Sequence, residues 1–457
     1  MRGRDYVKYK RSQKSPAADR PEPAPRAAPT PKASATKETV AYFDSSRGQF
    51  WTKNSRGEWI QFSEAALRRV LKYQHYQDIT DKEAQYAVID RHFIELQHVQ
   101  DVAYAGSIAG YKTGLHEICG QRVLVTSGPR LLRPQEGDWK TLRDFVGQLL
   151  GDDVRYFYAW AKSALKTLYK GAPFRPGQML AIAGPAGCGK SLLQNLITEM
   201  VGGRSAKPYR YMTGETAFNG DLLCNEHLMI EDEAGGLDLR VRRHFGSQLK
   251  NMIVNQVQSM HRKGRDALSV TPFWRLTISL NDEPENLAVL PPLDDSLRDK
   301  LILMRAYAFV PPHSPDDLAG RDRWRRALSA ELPAFLRYLQ TYHIPPKMLN
   351  VRYGCVAHQD PELLHELHAL SPESELLELI DMLQIWGIDR EPWEGTASDL
   401  KQALLAKDRH NLVQKLLAYS SVTGRYLAQL SAKFPERVTV KKRTEQGKIW
   451  QINLPSK

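Results

Sequence analysis

Cysteine is scarce: Cys119, Cys188, Cys224 and Cys355 are the only four in 457 residues, and no two of them stand at a CxxC spacing. Neither a disulfide framework nor a cysteine zinc cluster organises such a chain, and reduced thiols are expected. No run of about eighteen apolar residues occurs, so no membrane-spanning helix is expected. No apolar stretch follows Met1-Arg2-Gly3-Arg4-Asp5, so a secretory signal is not expected either. The expected compartment is the cytoplasm, including the nucleoid if the host is prokaryotic.

Large apolar side chains almost vanish between Tyr9 and residue 40, where a Pro/Ala-rich run covers residues 15–37. That composition cannot bury enough surface to offset ordering entropy, so residues 1–39 are read as a disordered basic tail. It either touches DNA non-specifically or simply solubilises the chain.

What remains is ordinary for a globular protein, with 42% hydrophobic and 25% charged residues. The net charge of +12 is unevenly spread. The first forty residues hold an excess of roughly six positive charges and the last fifty-seven roughly nine, so both ends are candidates for contact with polyanions or are solvated basic faces.

Residues 40–135 read as a small α+β module. Two aromatic-rich strands flank Asn54-Ser55-Arg56-Gly57, a hairpin signal, and helices are expected from Ser63 and over 81–99. Phe50, Trp51, Trp59 and Phe62 either form its core or stack on bases. Residues 136–172 carry helical apolar spacing interrupted at Gly151-Asp152-Asp153 and read as a helical collar. The core is expected over 173–310, starting at Pro173-Phe174-Arg175-Pro176-Gly177.

There, the apolar run Met179-Leu180-Ala181-Ile182-Ala183 leads into Gly184-Pro185-Ala186-Gly187-Cys188-Gly189-Lys190-Ser191 and then into a helical pattern. This strand, glycine-rich loop and helix have P-loop spacing. Backbone N–H groups of the loop cradle phosphates, Lys190 reaches the β/γ-phosphates, and the Ser191 hydroxyl ligates Mg²⁺. The positive end of the helix dipole strengthens the same site. ATP and Mg²⁺ are therefore the expected ligands.

Hydrolysis also needs a carboxylate for the metal, a base for water and a cation for the transition state. Leu228-Met229-Ile230 ends in Glu231-Asp232-Glu233, the form of a Walker B strand. Asp232 is assigned to the magnesium sphere and Glu233 to the general base; the frame shifted to Glu231 with Asp232 stays open. A third strand over 273–280 ends at Asn281, which orients the lytic water or else opens a turn. Between these strands lie an Arg-rich helix (Arg240, Arg242, Arg243) and a hairpin whose tip holds His261, Arg262, Lys263 and Arg265 around Gly264. Such a tip grips a phosphate backbone by charge or is a solvated turn. Arg298 is the candidate arginine finger, with Arg305 as the fallback; a finger supplied to a neighbour's nucleotide implies a closed ring.

This ordered set resembles superfamily 3 helicases, AAA+-type ring motors of phages, plasmids and DNA viruses. The resemblance rests on residues 184–191, Glu231-Asp232-Glu233, the segment 245–269 where the family carries its DNA loop, and Asn281. It implies a P-loop AAA+-like α/β core, a homo-oligomeric ring, expected to be a hexamer, and an ATP-driven helicase acting in replication. Residues 104–134, with Gly106, Gly110 and Gly114, look like the leader of phage-type members. No acidic metal cluster stands out before the collar, so a primase is expected as a separate partner, if there is one.

Residues 311–370 read as a helical lid or linker. Over 371–457, three helices precede two strands joined by a basic turn, residues 441–447, which is a winged-helix pattern. Arg425 on the third helix and Lys441, Lys442 and Arg443 in the turn are the candidate duplex contacts, although such domains also bind proteins. Rival readings are an ATP-controlled DNA-binding initiator or regulator and a nucleic-acid-sensing defence NTPase, neither of which unwinds.

Overall fold

The computed structural model describes residues 41–74, 76–170, 176–231, 239–314, 316–386, 391–408, 411–419, 421–444 and 447–455. The tail read over 1–39 lies outside the described residues, as do Pro173, Phe174 and Arg175.

The chain begins with β1 (Ala41–Asp44), β2 (Gln49–Lys53) and β3 (Trp59–Phe62), followed by α1 (Glu64–Gln74), α2 (Lys82–His98) and β4 (Asp101–Val102). β3-β2-β1 is an antiparallel meander, and β4 joins β1 in parallel. The Asn54 carboxamide closes the β2–β3 turn by accepting from the backbone of Arg56 and Glu58, both at 2.9 Å. Phe50 is a core residue packed edge-on to Phe93 at 5.0 Å, with Leu67, Leu71, Ile89 and Leu96 around it.

Next come β5 (Tyr104–Gly106), β6 (Gly114–Ile118) and β7 (Gln121–Val125), in spatial order β5-β7-β6. Then follow α3 (Lys140–Leu150) and α4 (Val154–Lys170), separated by a 3₁₀ turn at Gly151–Asp153. Gly151 makes this break with φ of +52°, a region that side-chain-bearing residues avoid.

The middle of the chain alternates strands and helices: β8 (Met179–Ala183), α5 (Lys190–Met200), β9 (Ser205–Ala206), α6 (Tyr209–Met212), β10 (His227–Glu231), α7 (Leu239–Val254), the β11–β12 hairpin (Gln258–Met260, Leu268–Val270), β13 (Arg275–Leu280), α8 (Pro284–Leu287), α9 (Asp295–Arg298) and β14 (Leu301–Arg305). The central sheet is parallel throughout, in the order β14-β8-β13-β10-β9. Its inner strands are buried on both faces, which is why they read as continuous apolar runs rather than alternating ones. One face, with Leu180, Ile182, Ile302 and Met304, meets α3, α4, α5 and the long α10 (Leu318–Thr341). The other, with Ala181, Leu228, Ile278 and Leu303, meets α7 and α11 (Pro361–Ala369). The segments expected as a collar and as a lid thus share one core with the sheet; α10 packs on α3, α4 and α5 because Leu328, Leu332, Phe335, Leu336 and Leu339 form one stripe.

A similar regrouping affects the amino-terminal region. Tyr104, Ile108, Ile118, Val123 and Val125 share a core with Leu223 and with Met260, Leu268 and Val270 of the β11–β12 hairpin. A buried ion pair locks this join: Glu226 is fully buried, binds the Arg204 guanidinium and accepts from Gly110 N at 2.7 Å.

The chain ends with α12 (Pro372–Leu383), β15 (Trp393–Gly395), α13 (Ala397–Lys407), α14 (Leu412–Leu416), α15 (Val422–Lys433), β16 (Val438–Thr444) and β17 (Gly447–Ile452). The antiparallel sheet β15-β17-β16 covers a core built from Leu376, Ile380, Leu400, Leu404, Leu427, Leu430 and Trp450. β15 and α14 add to the expected three helices and two strands. No helix among the described residues is long and apolar enough to cross a membrane.

Candidate functional site

The glycine-rich loop sits at the carboxyl end of β8, the edge where open parallel sheets bind ligands. Its conformation needs glycine at defined places. Gly187 and Gly189 have φ of +74° and +108°, and a Cβ on Gly184 would stand 2.3 Å from the Ala306 carbonyl oxygen. A Cβ on Gly187 would meet nothing within 4 Å, so the loop's inner face is open to a ligand. Cys188 is buried and belongs to the hydrophobic core beneath.

Lys190 is only 6% exposed. Its ammonium donates to the carbonyls of Gly184 and Pro185, both at 2.7 Å, and to Oδ1 of Asn281 at 3.2 Å. Cys188 Sγ lies 3.8 Å away, and no carboxylate pairs with this buried cation among the described residues. Asn281 follows β13, whose Leu280 is in register with Ala183, so the expected water-orienting amide stands at the level where the loop leaves β8.

Beneath the loop, Gln194 of α5 donates to the Ile230 carbonyl at 3.1 Å and to Thr277 Oγ1 at 2.8 Å. His227 is wholly buried between Thr198 at 2.7 Å and Thr277 at 2.8 Å, and burial pushes its pKa down to about 3. This polar stitch fixes the P-loop helix against β10 and β13.

Asp232 and Glu233, the expected magnesium ligand and general base, lie outside the described residues. Glu231 is described. It is in register with Ser279, two residues short of the level of Asn281, and faces Lys207 at 3.5 Å. Ser191 is half-buried at the second position of α5. Among the described residues, no three His, Cys, Asp or Glu side chains gather as a metal site, and the four cysteines are free thiols.

Sequence reasoning missed the far wall of this site. A cavity of about 420 Å³ runs from residues 186–192 and Asn281 to Phe309, His313, Arg321, Trp324 and Arg325. Phe309 and Trp324 stack at 5.2 Å with 13° between their planes. Arg321 and Arg325, one turn apart on α10, have no ion pair among the described residues. The i, i+4 spacing was readable in the sequence, but only the packing of α10 on α5 directs it at the loop.

The two finger candidates separate clearly. Arg298 is exposed on α9, before β14. Leu301 of β14 is in register with Met179, at the opposite end of β8 from the P-loop. Five strand residues span about 16 Å, so Arg298 does not reach its own chain's loop. Arg305, the fallback, ends β14 on the P-loop side but is held by Asp282 (3.8 Å), Asp360 (3.5 Å), Glu362 (3.3 Å) and Glu366 (3.8 Å). Those four acids engage the fallback's guanidinium within its own chain.

The expected DNA contacts also divide. The basic hairpin forms as β11–β12, and His261 and Lys263 are exposed at its tip. The Arg262 guanidinium lies over the Tyr104 ring at 4.6 Å, and its stem packs on Gly220, so its side chain is engaged within its own chain. Arg265, exposed, donates to the Ser46 carbonyl. Lys441, Lys442 and Arg443 stand on β16 rather than in a turn, because the strand continues past a bulge at Lys441 to Thr444. All three are exposed, with Lys441 paired to Glu394 of β15. Arg425 is exposed, but it lines a cleft between α15 and α7 instead of an open reading face.

Comparison with known proteins bears on the fold. The family described as "Family of unknown function (DUF5906)" matches residues 182–298, which span the P-loop to Arg298. No curated protein matches the chain. Among solved structures, the apo C-terminal region (305–718) of NrS-1 is 14% identical, with a TM-score of 0.52 over 91% of this chain and 96% of that one. Its A-form apo structure gives 13% identity and a TM-score of 0.51 over the same shares. "SCCmec type IV Cch – active helicase" is 11% identical with a TM-score of 0.32, over 87% of this chain and 73% of that one. The chain therefore has a mixed α/β, NTPase-like core around a parallel sheet, and at these identities its likeness to NrS-1 is one of fold.

Proposed function

We propose that this chain is an ATP-dependent DNA helicase of the superfamily 3, AAA+ type, acting in replication of a phage, plasmid or other mobile element. The observation that carries the reading is the approach of Lys190 to Asn281 at 3.2 Å, beneath a loop whose glycines adopt left-handed conformations. A lysine with no carboxylate partner among the described residues, next to an amide at the carboxyl edge of a parallel sheet, suits phosphoryl transfer to water.

In this reading the loop amides and Lys190 hold the triphosphate, and Asn281 orients the attacking water. Glu233 takes the proton from that water. Ser191 and Asp232 would hold Mg²⁺, which when bound neutralises charge on the phosphate oxygens. Phe309 and Trp324 offer apolar surface for the base, and Arg321 and Arg325 offer cations to the phosphates of the same chain's nucleotide. Arg298 serves a neighbour's nucleotide, since it cannot reach its own. That requirement supports a homo-oligomeric ring, a hexamer in the superfamily 3 reading, working in the host cytoplasm with a separate primase. The basic hairpin would track one strand by charge, and the carboxyl-terminal unit is read as a winged helix.

Forked-duplex unwinding and single-strand-stimulated ATPase, measured on the wild-type chain and on Lys190→Ala, test the proposal. Unwinding that persists in Lys190→Ala would sink it. ATPase without unwinding would favour an ATP-controlled initiator or a nucleic-acid-sensing NTPase.

A further inference from the structure

A second cavity, of about 320 Å³, lies where α7 and α15 face one another. From α7 it is lined by Arg243, Ser247 and Lys250, and from α15 by Arg425 and Gln429. These spacings, i, i+4, i+7 and i, i+4, put each set on one face of its helix. Tyr426 stands between them: Arg243 donates to its hydroxyl, and the Arg243 and Arg425 guanidiniums lie 5.9 and 5.6 Å from its ring centre. Neither guanidinium has an ion pair among the described residues. Two carboxylates also line the cleft, but each is already paired, Glu373 with Lys433 and Asp294 with Lys250 at 3.6 Å, so the charge left over is that of the two guanidiniums.

Two guanidiniums beside one phenol leave positive charge along the cleft, and an extended polyanion lying across it offsets that charge by accepting hydrogen bonds from each. We infer that the α7–α15 cleft binds the phosphodiester backbone of a single nucleic-acid strand. The inference rests on the reading of this chain as a DNA-handling protein and adds a site on the outer face of α7, apart from the basic hairpin. Insertion of either helix into a duplex major groove is excluded by space. A helix about 10–12 Å wide fills a major groove about 12 Å wide, which leaves no room for α7 in hydrogen-bonding contact with α15. Tyr426, 2% exposed, has no face free for a base, so the contact reads charge and not sequence. Ser247 and Gln429 add neutral donors along the same path.

The test is fluorescence anisotropy of a labelled oligo-dT with the full-length chain, without nucleotide, over a salt series. Arg243→Gln and Arg425→Gln are each expected to reduce the slope of log K against log salt by about 0.7, and the double variant by about 1.4. Because Arg243 also contacts Tyr426, wild-type chain is in parallel photocrosslinked to a 4-thiothymidine strand, and the crosslinked peptides are expected to include 239–254 or 422–433. Unchanged slopes in both variants, or crosslinks confined to the 258–270 hairpin, would overturn the cleft while leaving the helicase reading in place. Equal displacement by poly-glutamate would overturn the assignment to nucleic acid. A wild-type chain that binds no oligo-dT at any salt would bring down the DNA reading itself, and the cleft with it.

Discussion

The ammonium of Lys190 lies 3.2 Å from Oδ1 of Asn281, joining the loop after β8 to the tip of β13. A neutral oxygen at the tip of another strand thus helps to hold this ammonium, and in the proposed reading a triphosphate competes for it. The contact links the state of the loop to the residue expected to orient water.

Asn281→Ala is expected to retain nucleotide binding while kcat for ATP falls by about 10² or more, as when a positioning donor is removed from a hydrolytic site. Fluorescent-nucleotide titration and steady-state ATPase separate the two. Equal loss of binding would show that Asn281 holds Lys190 and does no more.

Arginines of the two classes should behave differently in mixed assemblies. Arg321→Ala and Arg325→Ala should weaken nucleotide binding by their own subunit, and no wild-type neighbour should restore it. Arg298→Ala subunits should keep binding but not hydrolyse alone, and mixing them with Lys190→Ala subunits should recover part of the ATPase. No recovery at any mixing ratio would count against a finger at Arg298.

Arg305→Ala should act through stability, because it leaves Asp282, Asp360, Glu362 and Glu366 without their shared cation. Glu226→Gln should cost about 3 kcal/mol, since Glu226 is fully buried and its loss strands Arg204. Arg298, exposed and unpaired among the described residues, should leave the urea midpoint unmoved when it is replaced by Ala. Urea denaturation of the three variants distinguishes these outcomes.

His227 makes stability depend on pH in a defined direction. Burial lowers its pKa to about 3 from 6.5, so the unfolded chain takes up the proton first as pH falls. Its contribution is complete above pH 6.5 and is lost as pH falls from there towards 3. Each unit of difference is worth about 1.4 kcal/mol. Over that window the wild-type urea midpoint should fall more steeply than that of His227→Asn. Parallel profiles would mean that another group carries the acid sensitivity.

Much of the fold was legible because local patterns encode it. The hairpin at Asn54-Ser55-Arg56-Gly57, the break at Gly151, and the strand, loop and helix around Lys190 each depend on a few adjacent residues. β14 was not legible as the neighbour of β8, because parallel pairing joins residues far apart in sequence and leaves no local mark. The regrouping of β5, β6 and β7 with the basic hairpin escaped for the same reason: the apolar positions were visible, but not which surface they would meet. Lys441 was read into a turn because bulge residues look like turn residues in a basic run.

From local pattern alone, a glycine-rich loop stands between a buried strand and a helix, because glycines at fixed offsets constrain the backbone over eight residues. The sequence also determined which side chains carry charge. Only the tertiary structure decided what those charges face. Arg305 is caged and Arg262 lies on Tyr104, while Arg321 and Arg325 line the cavity beside the glycine-rich loop and Arg425 faces α7. A guanidinium's role depends on the groups within a few ångströms of it, and the order of the sheet and the packing of its helices bring those groups together from distant parts of the chain.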